Sequence, residues 1–295
     1  MSTKHPIIAV TGSSGAGTST AKVALEHIFR REGVTAATIE GDSFHRYSRA
    51  DMKKKMKEEE EKNGCSTFSH FGPEANIFPE LENLFKTYGE TGDGKRRFYV
   101  HNAEEAEHHG VPAGEFTDWL PLPKNTDMMF YEGLHGCVVT EDANVAQHVD
   151  LKLGVVPVIN LEWIQKIHRD TSERGYSEEA VMDTIQRRMH DYVHYIIPQF
   201  KLTDINFQRV PVVDTSDPII ARDIPTADES LVVIRFRKPS RFDVDFPFLL
   251  NMITGSFMSR RNTIVVPGAK MGMAMELILT PIIHSLLEER RKALK

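Results

Sequence analysis

Cysteine is scarce in this 295-residue sequence, which contains only Cys65 and Cys137. The two lie far apart and form no metal-type pair, so we predict neither a disulfide framework nor a zinc site, and we expect reduced thiols. No uninterrupted apolar stretch approaches the roughly 18 residues of a membrane span, and residues 1–5 lead into an apolar run without a signal-peptide pattern. We therefore expect a cytoplasmic protein with no membrane segment.

An excess of basic residues is also missing. Lys and Arg number 36 against 42 Asp and Glu, which gives a net charge of −6. Proteins that bind the nucleic-acid backbone obtain their affinity from a surplus of Lys and Arg, so this class is excluded. Any site for an anion must be built locally.

Short apolar runs alternate with helical stretches, which favours an α/β fold. The predicted strands are 7–11, 36–40, 128–131, 153–159, 210–213, 231–237 and 263–266. The predicted helices are 18–32, 51–62, 161–174, 177–197 and 271–291, with Pro281 kinking or dividing the last. We expect one compact domain over residues 1–295, in which 88–123, rich in Gly, His, Glu and Pro, is an insertion that acts as a lid or subunit contact.

A glycine-rich segment follows the first strand and opens a helix: Gly12-Ser13-Ser14-Gly15-Ala16-Gly17-Thr18-Ser19. Its spacing fits the phosphate-binding P-loop, in which backbone N–H groups and a helix N-terminus surround an anion. Ser19 stands where a Mg²⁺-binding hydroxyl is expected, while Thr18 replaces the usual lysine, so another cation must come from elsewhere in the chain. The residues predicted to bind the nucleotide are Gly12, Ser13, Ser14, Gly15, Ala16, Gly17, Thr18, Ser19 and Thr20.

An acidic residue follows the second strand at the same edge of the predicted sheet. Asp42 is positioned to accept the proton of an alcohol during phosphoryl transfer. Downstream, His45, Arg46, Arg49 and Lys53 supply donors at about one-turn spacing, which indicates an anionic acceptor, although a solvated charged helix face would show the same pattern.

Two other segments carry candidate charges. The strand at 128–131 ends in Glu132, as a carboxylate facing a metal would, or as an ordinary surface acid at a strand end. Helical spacing brings Lys166, Arg169 and Asp170 onto one face, with Arg174 one turn beyond. A mobile helix could carry Lys166 over the nucleotide to replace the charge missing at Thr18, and the alternative is a salt-bridged surface helix.

These motifs together resemble the phosphoribulokinases of bacteria. The resemblance covers the chain from the first strand to Val266 and rests on residues 12–19, 40–46 and 130–136. Its most specific part is residues 166–179, which follow the pattern K-x-x-R-D-x-x-x-R-G-x-S-x-E. A P-loop without lysine is usual in this family. The resemblance implies a three-layer P-loop kinase fold with a mostly parallel, mixed β-sheet flanked by helices.

The resemblance also implies a reaction: ATP-dependent phosphorylation of the C1 hydroxyl of D-ribulose 5-phosphate, with Mg²⁺, to give ribulose 1,5-bisphosphate and ADP. The resemblance implies that Asp42 is the base and that Glu132 and Asp170 interact with the charge of the metal–nucleotide complex. It also implies that Lys166 stabilises the transferring phosphoryl group. The residues implied to bind the sugar phosphate are His45, Arg49, Lys53, Arg169 and Arg174.

Bacterial members of this family are oligomers, commonly octamers, that NADH activates and AMP inhibits. The pair Arg187-Arg188 resembles the arginines tied to that regulation, although an exposed arginine pair needs no effector. Plant and algal members are switched by a disulfide that includes a P-loop cysteine, and this P-loop has none. The resemblance implies a Calvin-cycle enzyme, while bacterial-type homologues also occur where no Calvin cycle operates.

Two alternatives stay open. The first is a P-loop kinase of another hydroxyl compound, such as uridine or pantothenate, against which stands the positive charge gathered at His45, Arg49, Arg169 and Arg174. The second is a nucleotide-sensing protein without catalysis, which the presence of Asp42, Lys166 and Asp170 disfavours.

Overall fold

A computed structural model describes residues 4–13, 17–63, 67–172, 175–220 and 223–295. The strands are β1 (Ile7–Gly12), β2 (Ala36–Glu40), β3 (Lys95–Arg96), β4 (Leu120–Pro121), β5 (Met128–Gly133), β6 (Leu151–Val155), β7 (Ile205–Pro211), β8 (Ser230–Phe236), β9 (Phe257–Arg260) and β10 (Thr263–Pro267). The helices are α1 (Thr18–Glu32), α2 (Arg49–Asn63), α3 (Phe78–Thr91), α4 (Ala103–His109), α5 (Ile159–Ser172), α6 (Glu178–Asp191), α7 (Phe246–Met252) and α8 (Met271–Ala293).

Eight strands form one mixed sheet in the order β2-β5-β1-β6-β7-β8-β10-β9. The first five run parallel to one another, and β8, β10 and β9 are joined to them by antiparallel pairings. The carboxyl ends of β1, β2 and β5 therefore meet at one edge, where ligands of open α/β sheets bind. The predicted α/β class, with a mostly parallel mixed sheet, is confirmed.

Helices cover both faces of the sheet. Because side chains alternate along a strand, Ile8 and Val10 of β1 point to one face, where they join a core that includes residues of α1 and α8. Ile7 and Ala9 point to the other face, into a second core with residues of α3. The result is a three-layer arrangement that places the start of α1 beside the ends of β2 and β5.

Most predicted strands agree with the structure to within two residues, and two need correction. The strand predicted at 153–159 ends at Val155, because Pro157 has no N–H to continue the ladder, and Ile159 already belongs to α5. The strand predicted at 210–213 is β7, which begins at Ile205. Buried Asn206 interrupts the apolar pattern, whereas exposed Val212 lies beyond the end of the strand.

Two helical predictions also change. The helix predicted at 177–197 is α6, capped by the Ser177 side chain, and its α-helical hydrogen bonding gives way to a π-helical turn at Tyr192–Ile196. Helix α8 continues through Pro281 and is not divided, because apolar side chains on both sides of the proline are buried in the core. Helices α3, α4 and α7 were not predicted. The end of the helix predicted at 161–174 lies outside the described residues.

One helical stretch, Gly268–Ala293, is long and apolar enough to cross a membrane by length and composition. Its apolar side chains pack instead in the hydrophobic core on one face of the sheet, where Met275, Leu279 and Ile283 are buried. Cys137 is a free, buried thiol, and Cys65 lies outside the described residues.

Candidate active site

The turn from β1 into α1 has the backbone of an anion site. A Cβ on Gly12 would lie 2.7 Å from Thr18 Cγ2 and 2.8 Å from the carbonyl oxygen of Val155, so only glycine fits there. Gly17 precedes α1 with a φ of 93°, in the left-handed region that favours glycine. Within the described residues no side chain caps α1, so its first N–H groups are available to a phosphate. Ser14, Gly15 and Ala16 lie outside the described residues.

The first turn of α1 connects this segment to the acidic ends of β2 and β5. Ser19 and Thr20 are exposed, and the Thr18 side chain lies near the Glu132 carboxylate, whose pKa it lowers. One turn further, Lys22 Nζ lies 3.0 Å from Glu40 Oε1. Lys22 was not singled out by the sequence. It supplies a cation on the same helix as the lysine-less P-loop.

Asp42 lies just past the end of β2, in the single 3₁₀ turn Gly41–Phe44. This turn can lie against the end of β5 because two glycines meet there: a Cβ on Gly133 would lie 2.7 Å from Gly41 Cα. The carboxylate of Asp42 is partly exposed, with 41 % of the side chain accessible, so a substrate can reach it.

Histidines surround the Asp42 carboxylate. His45 Nε2 lies 3.2 Å from Oδ1, and His101 Nε2 lies 3.7 Å from Oδ2. Desolvation acts to raise the pKa of Asp42, but the charges of His45 and His101 outweigh it and hold that pKa well below its ordinary value. Asp42 is therefore held as the carboxylate, which is the form that a general base requires.

Residues of the predicted insertion contribute to this side of the site. Besides His101, Arg97 donates from Nε to the carbonyl oxygen of Ser43 at 2.8 Å and from Nη2 to that of His45 at 2.6 Å. Arg49 donates from Nη2 to the carbonyl oxygen of His101 at 2.9 Å. The segment 88–123 thus holds the residues that follow Asp42. Its composition gave no sign of this role, because single Arg and His residues without a motif carry no positional signal.

Of the residues predicted to bind an anionic acceptor, His45, Arg49 and Lys53 belong to the segment that follows Asp42, whereas Arg169 lies on α5. His45 is buried against Asp42, while Arg49 and Lys53 are exposed on the first turns of α2. Arg46 is exposed, and its guanidinium donates to the carbonyl oxygens of Glu74 and Asn76. Arg174 lies outside the described residues.

Glu132 and Glu40 are paired in register at the ends of β5 and β2. Burial raises the pKa of Glu132, opposed by the nearby Thr18 side chain and by Lys22. A cation bound at this edge of the sheet would offset the cost of burying the charged Glu132 carboxylate. The described residues contain no group of three or more His, Cys, Asp and Glu suited to a metal. Mg²⁺ commonly binds through one or two carboxylates together with water and phosphate oxygens, which Glu132 and Ser19 fit.

Helix α5 brings Lys166, Arg169 and Asp170 together as predicted. Lys166 Nζ is bonded to Asp170 Oδ2, and Arg169 Nη2 lies 3.0 Å from Asp170 Oδ1. Burial, with the charge of Arg188, lowers the pKa of Lys166 to about 8 despite the Asp170 carboxylate. Lys166 and Asp170 are 7 % and 4 % exposed, so this is not a solvated surface pair. Both Asp170 oxygens face cations.

A small cavity opens beside Lys166, and Glu162, Arg188 and Tyr192 line it. Tyr192 donates to Glu162 Oε2 at 3.0 Å, and the Arg188 guanidinium lies 5.1 Å from the centre of the Phe71 ring. Arg187 instead donates to Thr184 on its own helix. The predicted regulatory pair is therefore divided, since Arg188 shares its cavity with Lys166.

Gln199 links the P-loop strand to the segment after Glu132. Its Oε1 accepts from Thr11 Oγ1 at 3.1 Å and from the Cys137 N–H at 3.0 Å. Its Nε2 donates to the carbonyl oxygens of Leu134 at 2.9 Å and Tyr195 at 2.7 Å. Gln199 is 2 % exposed, so every polar atom of this amide is satisfied by protein groups. It was not singled out by the sequence.

A larger, open cleft of about 690 Å³ is lined by Arg237, Pro239, Arg260, Arg261 and Asn262. Arg237 follows β8, whose last residue pairs with the first residue of β7. The cleft therefore lies at the amino edge of the parallel strands, away from the P-loop and Asp42.

The mostly parallel sheet, the glycine-rich turn into α1 and the carboxylates at the strand ends define a P-loop kinase fold. The family model described as "Phosphoribulokinase / Uridine kinase family" matches residues 7–216, and the chain belongs to this family. Curated relatives include a phosphoribulokinase of Nitrobacter vulgaris, 63 % identical over 98 % of this chain and 99 % of its own. Another is phosphoribulokinase 2 of Cereibacter sphaeroides, 61 % identical over 99 % of both chains.

A solved structure is similar over nearly the whole fold. The phosphoribulokinase from Rhodobacter sphaeroides superposes with a TM-score of 0.90 at 59 % identity, covering 98 % of this chain and 100 % of that one. The resemblance read from the sequence motifs is confirmed.

Proposed function

We propose that this protein is a phosphoribulokinase, which transfers the γ-phosphoryl group of ATP to the C1 hydroxyl of D-ribulose 5-phosphate and releases ribulose 1,5-bisphosphate and ADP. The observation that carries the proposal is the ionised Asp42, fixed by histidines at the same sheet edge as the anion-binding turn. The identity of 60 % or more to full-length phosphoribulokinases supports this substrate. The product belongs to the Calvin cycle.

The roles of the residues follow from their chemistry. The amides of residues 12–20 bind the nucleotide phosphates, and Asp42 takes the proton of the sugar hydroxyl as it attacks. Lys166, drawn from its bond with Asp170, stabilises the charge of the transferring group. Ser19 and Glu132 would hold Mg²⁺, with Asp170 a further predicted ligand. When bound, Mg²⁺ neutralises charge on the phosphate oxygens.

The acceptor's own phosphate requires cations on the Asp42 side of the site. We assign this binding to Arg49, Lys53, Arg169 and Arg174, and we propose that the predicted substrate-binding residue His45 acts with His101 beside Asp42, where the acceptor's hydroxyl would approach. Guanidinium groups suit phosphate because they donate two parallel hydrogen bonds. A neutral acceptor such as uridine or pantothenate gives no reason for this charge, which disfavours the first alternative.

The test is product identification after incubation with ATP, Mg²⁺ and ribulose 5-phosphate, with uridine and pantothenate as competing acceptors. We expect ribulose 1,5-bisphosphate alone. Asp42→Asn should lower kcat by about 10²–10⁴-fold with nucleotide binding retained, whereas the exposed control Asp228→Asn should not. Nucleotide binding without turnover on any acceptor would favour the sensing alternative and refute the kinase.

Three further properties are proposed from the family. We expect an oligomer such as an octamer, with activation by NADH and inhibition by AMP that involve Arg187 and Arg188. Light scattering after gel filtration and assays with each effector test these properties. We also propose a cytoplasmic location, because the buried Cys137 is a free thiol, as is usual in a reducing compartment.

A further inference from the structure

Asn76 is a buried asparagine next to the Asp42 site. It follows the single turn Pro73–Ala75, forms an isolated antiparallel bridge with His45 and is 1 % exposed. Its Nδ2 donates to the carbonyl oxygen of His70 at 2.9 Å and to that of Gly72 at 2.6 Å. Both partners can only accept, so the amide has one orientation, in which Oδ1 faces His45.

The orientation of the Asn76 amide determines which ring nitrogens of His45 carry a proton. Asn76 Oδ1 lies 2.8 Å from His45 Nδ1 and has no hydrogen to give, so Nδ1 must be the donor. The other ring nitrogen, Nε2, lies 3.2 Å from Asp42 Oδ1. In a neutral ring with the proton on Nδ1, the Nε2 lone pair would face the carboxylate. Only a ring protonated on both nitrogens satisfies both contacts when Asp42 is ionised.

We propose that Asn76 is a positioning residue that holds His45 as an imidazolium and thereby keeps the Asp42 carboxylate charged and aimed at the acceptor. This inference rests on the proposed function for its catalytic meaning. Asn76 acts through His45 and touches neither the phosphates nor the acceptor in this account. In many active sites a third group orients a histidine that itself acts as the base. Here the oriented histidine instead stabilises a carboxylate, and the carboxylate is the base.

His45 is the main source of positive charge beside Asp42, because the neighbouring rings of His70 and His135 are neutral. His70 stacks on it at 4.2 Å between ring centres, and burial keeps the pKa of His70 well below its ordinary value, so that ring is neutral. Burial likewise lowers the pKa of His135 to about 3. Other groups that face His45 or Asp42 from neighbouring segments include Arg97, Tyr99 and His101, and the charges of Glu132 and Asp42 also act on each other.

The segment that carries Asn76 is itself anchored. Ser69 donates to Asp191 Oδ2 at 2.7 Å, and a Cβ on Gly72 would lie 2.6 Å from the same oxygen. Asp191 is 5 % exposed at the end of α6. The carbonyl groups that orient Asn76 therefore have fixed positions, so its orientation does not depend on bound substrate.

The first test measures the protonation of His45 in the unaltered protein. Nitrogen-15 NMR of the whole protein labelled in histidine should show both ring nitrogens of His45 protonated at pH 7, assigned by loss of the signals in His45→Gln. An unprotonated Nδ1 in the unaltered protein overturns the proposal. Because this readout does not use activity, it stays valid if ribulose 5-phosphate proves not to be the substrate.

The second test uses variants. Asn76→Ala should leave Nδ1 unprotonated, lower kcat about 10²-fold and leave the KM for ATP unchanged. The control Asn262→Ala removes an amide that also donates to a carbonyl, at the opposite edge of the sheet. A folded Asn76→Ala protein with unaltered His45 signals and kcat refutes the proposal.

Discussion

Replacement of Gln199 by leucine tests whether the buried amide between the P-loop strand and the segment after Glu132 stabilises the protein. Leucine has nearly the same volume, so the change removes hydrogen bonds without leaving a large cavity. The Thr11 hydroxyl keeps its bond to the Leu134 carbonyl oxygen, at 3.0 Å. The Cys137 N–H, whose hydrogen bond is to Gln199, loses its acceptor in a buried position.

The expected loss can be worked from these contacts. A buried donor left without an acceptor costs about 1–3 kcal/mol, and loss of the other Gln199 bonds adds about 1 kcal/mol net. We therefore expect the free energy of unfolding to fall by about 2–4 kcal/mol. Because Thr11 leads into the P-loop, the KM for ATP should also rise.

Urea denaturation measures the first effect, as a lower midpoint with an unchanged slope. The matched control is Gln208→Leu, because Gln208 makes a single long hydrogen bond, 3.4 Å, to the Pro157 carbonyl oxygen. We expect the control to change stability by less than about 0.5 kcal/mol. Equal losses in the two variants, or no loss at Gln199, would refute the reasoning.

Three other changes have defined outcomes. Gly12→Ala should lower the free energy of unfolding by about 1–3 kcal/mol through its contacts with Thr18 and Val155, while Gly272→Ala, with open space around it, should raise stability slightly in the same urea assay. Burial raises the pKa of Asp150 to about 6, so the folded protein loses stability from this group as pH rises from about 4 to 6. Asp150→Asn should therefore gain stability relative to the unaltered protein over that range, by up to about 3 kcal/mol, and a pH-independent difference would contradict this. Lys166→Met should lower kcat at least 10²-fold; undiminished turnover would exclude its role in phosphoryl transfer.

The nucleotide half of the site could be predicted because its signals are local. A strand, a glycine-rich turn and a helix follow one another within residues 7–32, and α1 begins and ends where expected. Helical spacing likewise brought Lys166, Arg169 and Asp170 together, since neighbours on a helix are fixed by its geometry.

The acceptor half could be predicted only in part. Asp42 and His45 were found from their position after β2, but Asn76, Arg97 and His101 were not. Their contacts join segments 31, 52 and 54 residues apart, or more, and depend on tertiary packing that no periodicity records. Gln199 was missed for the same reason, as a polar residue in a helical stretch is normally exposed.

The participation of residues 88–123 in the Asp42 side has a consequence for partly folded chains. β1, which leads into the P-loop, itself lies between β5 and β6 in the sheet, and His101 reaches Asp42 from a distant segment. Both halves of the site are therefore completed only when segments far apart in the chain have packed together, so a partly folded chain lacks both of them.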